Sequence, residues 1–290
     1  MKRIGVFYGG KSCEHEVSVI TAVQMMAEME DEYIVYPIYI TEEGWFTGEL
    51  LKNVESYKEF DSSSHVKVLL GGNKLYTKGA FNRIKIYGEI DVAVLCTHGG
   101  LGESGGLSGL LEMYGVPYVA SSVLESAVCM DKEYFKIIAK DKGFRVVPGI
   151  TVKKEGFEEN ADKICEKIFA KLGEDIIVKP VDLGSSIGVN VPKNIDELKD
   201  ALSLVFSYTK KALVEKRITE MTELNCAACK MGESIIVSAI EKPFKKGDGI
   251  LSYKDKYLTK SKVKREDREI PAKISPRLAS KIRKLTNKIY

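Results

Sequence analysis

The chain has 290 residues, enough for two or three domains with substantial cores. Hydrophobic residues make up 44% and charged residues 29%, the balance of an ordinary water-soluble protein rather than a disordered or membrane-embedded one. A net charge of only +3 supplies no strong pull on nucleic acid.

In chain order, residues 2–8 form a strand pattern running into Gly9-Gly10. This apolar run is too short for a signal peptide or a membrane span, and no later stretch is long enough to span. Ser18 suits the cap of a helix reaching Glu30, with Val19, Ala22, Val23 and Met26 on one face. "YIVYPIYI" (33–40) is a second strand, so the chain opens as strand, helix, strand, the start of an α/β domain with a parallel sheet. Residues 41–90 show no clear period. "DVAVLC" (91–96) is another strand, followed by a Gly-rich segment, a helix near 107–114 and a short strand near 117–119. Helical patterns cover 124–130 and 132–142, the latter ending at Gly143, and another covers 160–172. A strand at 176–178, a helix at 195–206 and strands at 212–216 and within 223–240 follow. Ser275 suits an N-cap and Pro276 the first helical position. Leu278, Ile282, Leu285 and Ile289 then share one face. That stripe is still running at Tyr290 with no Gly stop, which sets the expectation that the fold continues past it.

The six cysteines (13, 96, 129, 165, 226, 229) are scattered, mostly in apolar contexts, as expected of reduced, buried thiols in the cytoplasm. Cys226 and Cys229 form a C-x-x-C with no second Cys/His pair following, so zinc or redox chemistry is not favoured. The late run of positive residues, Lys256 to Lys288, is interrupted by Glu266, Asp267 and Glu269, the pattern of a solvated loop and helix face rather than a nucleic-acid patch.

Four segments carry candidate chemistry. In "IIVKPVDLGSSIGV" (176–189) an apolar strand ends in Lys179, and a loop of Gly184, Ser185, Ser186 and Gly188 follows. Backbone N–H groups, two hydroxyls and an ammonium can make an anion cradle; an ordinary strand–turn–strand with a snorkelling Lys fits the same residues. No Gly-Lys-Ser/Thr follows, so this is not a P-loop. "THGGLGESGG" (97–106) has the glycine spacing of a dinucleotide fingerprint but lacks an acidic residue at the end of the next strand. His98 lies at the carboxyl end of a parallel strand, where ligands gather, although a structural histidine would look the same. "GGKSCEHEVS" (9–18) places Glu14, His15 and Glu16 at that edge, where a carboxylate can bind an ammonium or simply be solvated. Lys132, near a helix start, is disfavoured by the helix dipole and hints at a bound anion. Glu215 and Lys216 end a strand, and Lys256-Tyr257 lie in a polar loop. Taken together, these lysines, the Gly-Ser-Ser loop and a strand-end Glu suggest a polyphosphate held by scattered contacts.

"FYGGKSCEHEVS", "HGGLGESGGLSGLLE", "VPYVASSVLESAVCMDKEYFK", "VKPVDLGSSIGV", "LVEKRI" with "TELNCAA", "DKYL" and "REIPAKI" occur in an order that resembles the D-alanine–D-alanine ligase family of the ATP-grasp superfamily, over nearly the whole chain. Ser104 departs from the family pattern, where Asp follows the position of Glu103. The resemblance implies three α/β domains: 1–120 on the first-substrate side, 121–213 as the central ATP-grasp domain and 214–290 as the C-terminal one, incomplete. It implies an enzyme that joins two D-alanines through a D-alanyl phosphate for peptidoglycan precursors, with D-serine as a possible second substrate. ATP would lie between the last two domains, its phosphates on Lys132, Lys179 and Lys256 with Ser186 nearby. Its adenine would meet Glu215, Lys216 and Ile218, and its ribose Glu223. Glu14 would hold the ammonium of the first D-alanine, near Val17 and His98, and Glu14, Ser185 and Tyr257 would form a hydrogen-bonded catalytic group beside it. Tyr257 after Lys256 goes with an amine acceptor rather than D-lactate. Two magnesium ions are implied, with ligands expected beyond Tyr290, so a truncated, inactive relative that at most binds nucleotide is the alternative. A cytoplasmic homodimer without nucleic-acid or membrane partners completes the expectation.

Overall fold

The computed structural model describes residues 1–244 and 268–290. By contacts the chain divides into two compact units. The first comprises 1–136 with 180–184, and the second 137–179 with 185–290.

In the first unit, β1 (Arg3–Gly9) leads into α1 (His15–Ala27) and β2 (Ile34–Thr41), with β1 and β2 parallel. Then come β3 (Gly44–Thr47), β4 (Val66–Gly71), β5 (Lys74–Lys78), β6 (Ile84–Glu89), β7 (Val92–Leu95) and β8 (Tyr118–Val119). They form one eight-stranded sheet in the order β6-β5-β4-β3-β2-β1-β7-β8. The half from β1 to β8 is parallel, and the half from β2 out to β6 antiparallel. α2 (Gly100–Glu103) is one turn; α3 (Gly106–Met113) and α4 (Val123–Met130) follow it. The sheet buries apolar side chains on both faces: Val6, Tyr8, Val19, Ala22 and Met26 gather on one, and Phe7, Ile38, Leu75, Leu107 and Leu111 on the other. Two-sided burial explains why β1 and β2 are near-continuous apolar runs.

α5 (Lys132–Asp141) leads into the second unit. There β9 (Gly149–Lys153), β10 (Ile176–Pro180) and β11 (Lys211–Lys216) form a sheet in the order β10-β11-β9. α6 (Lys154–Leu172) and α7 (Ile195–Tyr208) cover it through Phe157, Ile168, Leu198, Leu202 and Val205. The hairpin of β12 (Ala228–Met231) and β13 (Ser234–Val237) follows, then the pair β14 (Lys242–Pro243) and β15 (Arg268–Glu269). α8 (Pro276–Ile289) starts as its sequence indicates, with Pro276 in its first turn and Ser275 Oγ accepting from Leu278 N at 3.3 Å.

Two sequence expectations change. α1 begins at His15, and Ser18 is not its cap but a fully buried residue within it. The thiols are less buried than expected: Cys96 and Cys165 are enclosed, but Cys13, Cys129 and Cys229 are exposed. Burial pushes the Cys96 thiol up to about 11, so it stays protonated. No helix among the described residues is long and apolar enough to cross a membrane.

Candidate functional site

In the first unit, the candidate residues gather at the carboxyl edge of the parallel strands. β1 ends at Gly9 with φ +85, and an added Cβ would lie 2.5 Å from Ile40 O, so the turn requires glycine. Gly10 N donates to that same carbonyl at 2.8 Å. The chain then turns directly into α1, with Glu14 in the N-cap position. Its carboxylate does not cap the helix, yet Glu14 is only 4% exposed. A buried carboxylate at a helix N-terminus sits in a favourable field, which offsets part of its desolvation. Two glycines close on it. A Cβ at Gly99 would lie 2.7 Å from Glu14 Oε2, and one at Gly184 would lie 3.2 Å from Oε1. The Gly-Ser-Ser loop therefore starts against the Glu14 carboxylate, a contact no local pattern announces, because the two residues are distant in sequence.

The walls are held by further polar contacts. Ser12 Oγ accepts from Glu14 N at 3.0 Å, and Glu103 Oε2 accepts from Gly99 N at 2.5 Å. Ser18 Oγ accepts from Gly9 N and donates to Cys96 O, both at 2.7 Å, stitching α1 to the ends of β1 and β7. His98, half-buried, has Nε2 at 3.0 Å from Thr21 Oγ1, and Val17 is buried on α1. A cavity of about 360 Å³ opens beside the turn of Gly9, Gly10 and Ser12, walled by Trp45, Thr97, Leu107 and Leu110 among others. Lys132, the first residue of α5, donates its ammonium to Val181 O at 3.2 Å and Leu183 O at 2.5 Å. Two carbonyl dipoles thus answer the unfavourable helix dipole that its position implies.

In the second unit, Lys179 and Glu215 come together as an ion pair. Glu215 is 5% exposed at the end of β11, against Gly149, whose added Cβ would lie 2.9 Å from its Cγ. Lys216 closes β11, its backbone N donating to Pro148 O at 3.0 Å. Ile218 and Glu223 are exposed on the segment after it. Val178 and Asn190 exchange backbone bonds at 2.8 and 2.9 Å, closing the loop between them at its base. Within that loop Ser185 (φ +50), Ser186 (φ +62) and Gly188 (φ +68) adopt left-handed backbone. For two serines this is uncommon, and such turns aim successive N–H groups at one concave side, which suits phosphate oxygens. Lys256 and Tyr257 lie outside the described residues. Among the described residues no His, Cys, Asp and Glu side chains gather into a group that could hold a metal.

Glu14, the Gly-Ser-Ser loop and the lysines stand out in the sequence; Ser12, Thr21, Gly99 and Glu103, which the fold brings beside them, do not. A serine and a glycine pair beside an acidic residue was the only available signal for the first of these. The Lys179–Glu215 pair was foreshadowed only by opposite charges at two strand ends.

Comparison with known proteins identifies the family. The model of the D-ala D-ala ligase N-terminus matches residues 3–121, and that of the D-ala D-ala ligase C-terminus matches 138–290. A D-alanine–D-alanine ligase of Thermosipho melanesiensis is 37% identical over 298 aligned positions, spanning 100% of this chain and 79% of the relative. One from Lactobacillus helveticus is 35% identical over 291 positions, spanning 99% and 78%. Among solved structures, the D-alanine–D-alanine ligase of Helicobacter pylori superposes with a TM-score of 0.81 at 27% identity, over 100% of this chain and 82% of that one. The VanG D-Ala:D-Ser ligase of Enterococcus faecalis superposes with a TM-score of 0.77 at 28% identity, over the same shares. The fold is ATP-grasp, and the chain belongs to the D-alanine–D-alanine ligase family.

Proposed function

We propose that this chain joins two D-alanines at the expense of ATP, in the cytoplasm, for peptidoglycan precursor synthesis. The observation that carries the reading is the Glu14 carboxylate, buried at the N-terminus of α1 with Gly99 and Gly184 closed upon it. A buried anion walled by backbone suits a small ammonium and leaves little room for a larger one. In this reading Glu14 holds the ammonium of the first D-alanine, with Ser185 and Tyr257 in its hydrogen-bonded group and Val17 and His98 beside the substrate. Lys132, Lys179, Lys256 and Ser186 contact the phosphates, Glu215, Lys216 and Ile218 the adenine, and Glu223 the ribose. Supporting the phosphate role are the left-handed backbone at Ser185 and Ser186 and the strand-end position of Lys179. The three domains of this reading are 1–120, 121–213 and 214–290.

A carboxylate is a poor acyl donor because oxide would have to leave. An oxygen of the first D-alanine's carboxylate attacks the γ-phosphorus of ATP; that O–P bond forms as the bond to ADP breaks. The amine of the second D-alanine then attacks the acyl carbon and gives up a proton. The tetrahedral intermediate expels phosphate, leaving dipeptide, ADP and phosphate. The chain's own contribution is positioning by Glu14 and charge neutralisation by the lysines, the two largest resources for phosphoryl transfer. Two magnesium ions belong to the reading by family. The described residues form no place for them, so no step here runs through a metal. A homodimer is also part of the proposal, supported by the exposed Leu101, Met113, Val119 and Leu124.

The test is calorimetric titration with D- and L-alanine, followed by mass spectrometry of the products formed with ATP and magnesium. Saturable D-alanine binding that L-alanine does not match, lost in Glu14→Gln, and D-alanine-dependent ADP with D-alanyl-D-alanine are expected. Equal binding of both enantiomers, or dipeptide only when D-serine is added, would overturn the D-alanine reading.

A further inference from the structure

The loop that delivers Glu14 starts with Gly9 and Gly10, both at positive φ, and a Cβ at Gly10 would meet nothing within 4 Å. Gly9 N donates to Ser18 Oγ at 2.7 Å and Gly10 N to Ile40 O at 2.8 Å, so the backbone of the pair is tied on one side. His15 adds a side-chain tie from the start of the loop. Its Nδ1 lies 2.7 Å from Gly10 O, and its Nε2 lies 2.7 Å from Tyr39 Oη. A carbonyl oxygen only accepts, so Nδ1 carries a proton, and in the neutral ring Nε2 then accepts from the Tyr39 hydroxyl. Both ring nitrogens are engaged, and the ring spans from the start of the loop to β2.

Tyr39 is itself held by its neighbours. Its ring stacks on Tyr8 at 5.4 Å and meets Tyr57 at 5.1 Å and Phe60 at 4.9 Å edge-on, while the His15 ring approaches at 5.4 Å. Burial raises its phenol above the ordinary range, which keeps the hydroxyl protonated and able to donate. Tyr57 and Phe60 come from the 48–65 connection between β3 and β4, so that connection fixes the ring that fixes the histidine.

We infer that His15 and Tyr39 are positioning residues for Glu14. The hydrogen-bonded series from Tyr39 through His15 to Gly10 O adds to the bonds that hold residues 10–14 and thereby raises the affinity for the ammonium of the first D-alanine. This rests on the role proposed above for Glu14. Without the series, the loop keeps fewer ties and has more freedom to lose on substrate binding, and affinity falls by that cost.

Tyr39→Phe removes one hydroxyl and keeps every ring contact, so it separates positioning from packing. His15→Ala removes both bonds, and His15→Asn keeps a side-chain N–H able to reach Gly10 O. Amide hydrogen exchange over 11–14, melting temperature and calorimetric titration with D-alanine are measured for each. Tyr39→Phe should leave the melting temperature nearly unchanged, speed exchange at 11–14 and weaken D-alanine binding by about 3-fold to 10-fold, the scale of one hydrogen bond. His15→Ala should weaken it further, and His15→Asn should recover part of the loss. Unchanged exchange and unchanged D-alanine affinity in Tyr39→Phe and in folded His15→Ala would overturn the inference. So would a lower melting temperature with affinity intact, the mark of a merely structural role. If the unaltered chain binds no D-alanine, the reading of Glu14 fails, and exchange at 11–14 alone decides whether the brace exists.

Discussion

Lys179 shows how one side chain can answer to fold and chemistry at once. From the sequence, a lysine ending an apolar strand is expected to serve a phosphate and contribute little to stability. In the fold its ammonium pairs with Glu215, which is buried, while the Lys179 side chain keeps 26% of its surface exposed. Removing the lysine leaves a buried carboxylate with one charge partner fewer. Lys179→Met should therefore lower unfolding free energy by about 1–3 kcal/mol in the absence of nucleotide, towards the lower end because the lysine is partly solvated. Glu215→Gln in the same background should restore part of the loss, since the amide needs no counter-charge. Urea unfolding of the two single variants and the double variant measures the coupling, and additive effects would show that the pair contributes nothing beyond its members. Weakened ATP binding in Lys179→Arg, which keeps a cation for Glu215, would then isolate the phosphate role proposed for this position.

At the scale of elements, legibility followed burial and period. β1, β2 and β7 are apolar on both faces, and α7 and α8 carry one clear stripe with a capping side chain at the N-terminus, Asn194 and Ser275 respectively. Those were readable. The stretch 41–90 was not, because its strands are short and partly exposed and the register shifts between Leu75 and Tyr76, which breaks the alternation of two. Phe81 and Asn82 at positive φ add a turn whose left-handed positions hold no glycine. Ser18 follows the same logic. Serine before an apolar face reads as a cap, but the helix starts three residues earlier, and the hydroxyl instead joins α1 to two strand ends. A buried group with two partners is costlier to lose than a surface cap. Ser18→Ala should therefore destabilise the first unit by about 1–3 kcal/mol. Ser275→Ala should cost α8 about 0.5–1 kcal/mol. Trp45, the sole tryptophan, lies on β3 and reports the first unit during denaturation; α8 is followed by amide exchange. A Ser18→Ala midpoint equal to that of the unaltered chain would contradict the stitching role.

At the scale of the molecule, the eight-stranded sheet has to join a parallel half, β1 to β8, to an antiparallel half, β2 to β6. The join is electrostatic as well as hydrogen-bonded. Arg3, at the start of β1, donates through Nη2 to Asp91 Oδ1 at 2.6 Å and through Nη1 to Glu89 Oε2 at 2.8 Å, while its backbone N donates to Asp91 Oδ2 at 2.8 Å. Glu89 ends β6 and Asp91 precedes β7, so one guanidinium ties the outermost antiparallel strand to the two central parallel ones. The hydrogen bonds from the Arg3 side chain, then that from its backbone, hold the Asp91 carboxyl down at about 2. In the unfolded chain an aspartate titrates at about 3.9. The folded value is the lower of the two, so the stabilisation is fully present above about pH 4 and is lost as pH falls towards about 2. Trp45 fluorescence followed from pH 7 to pH 2 should show the first unit losing stability across that window. Asp91→Asn should be less stable near neutral pH and show a shallower acid limb, because the group whose protonation drives it is gone. Acid curves of equal slope for the two proteins would mean that the Arg3–Asp91 tie does not govern the sheet's response to pH.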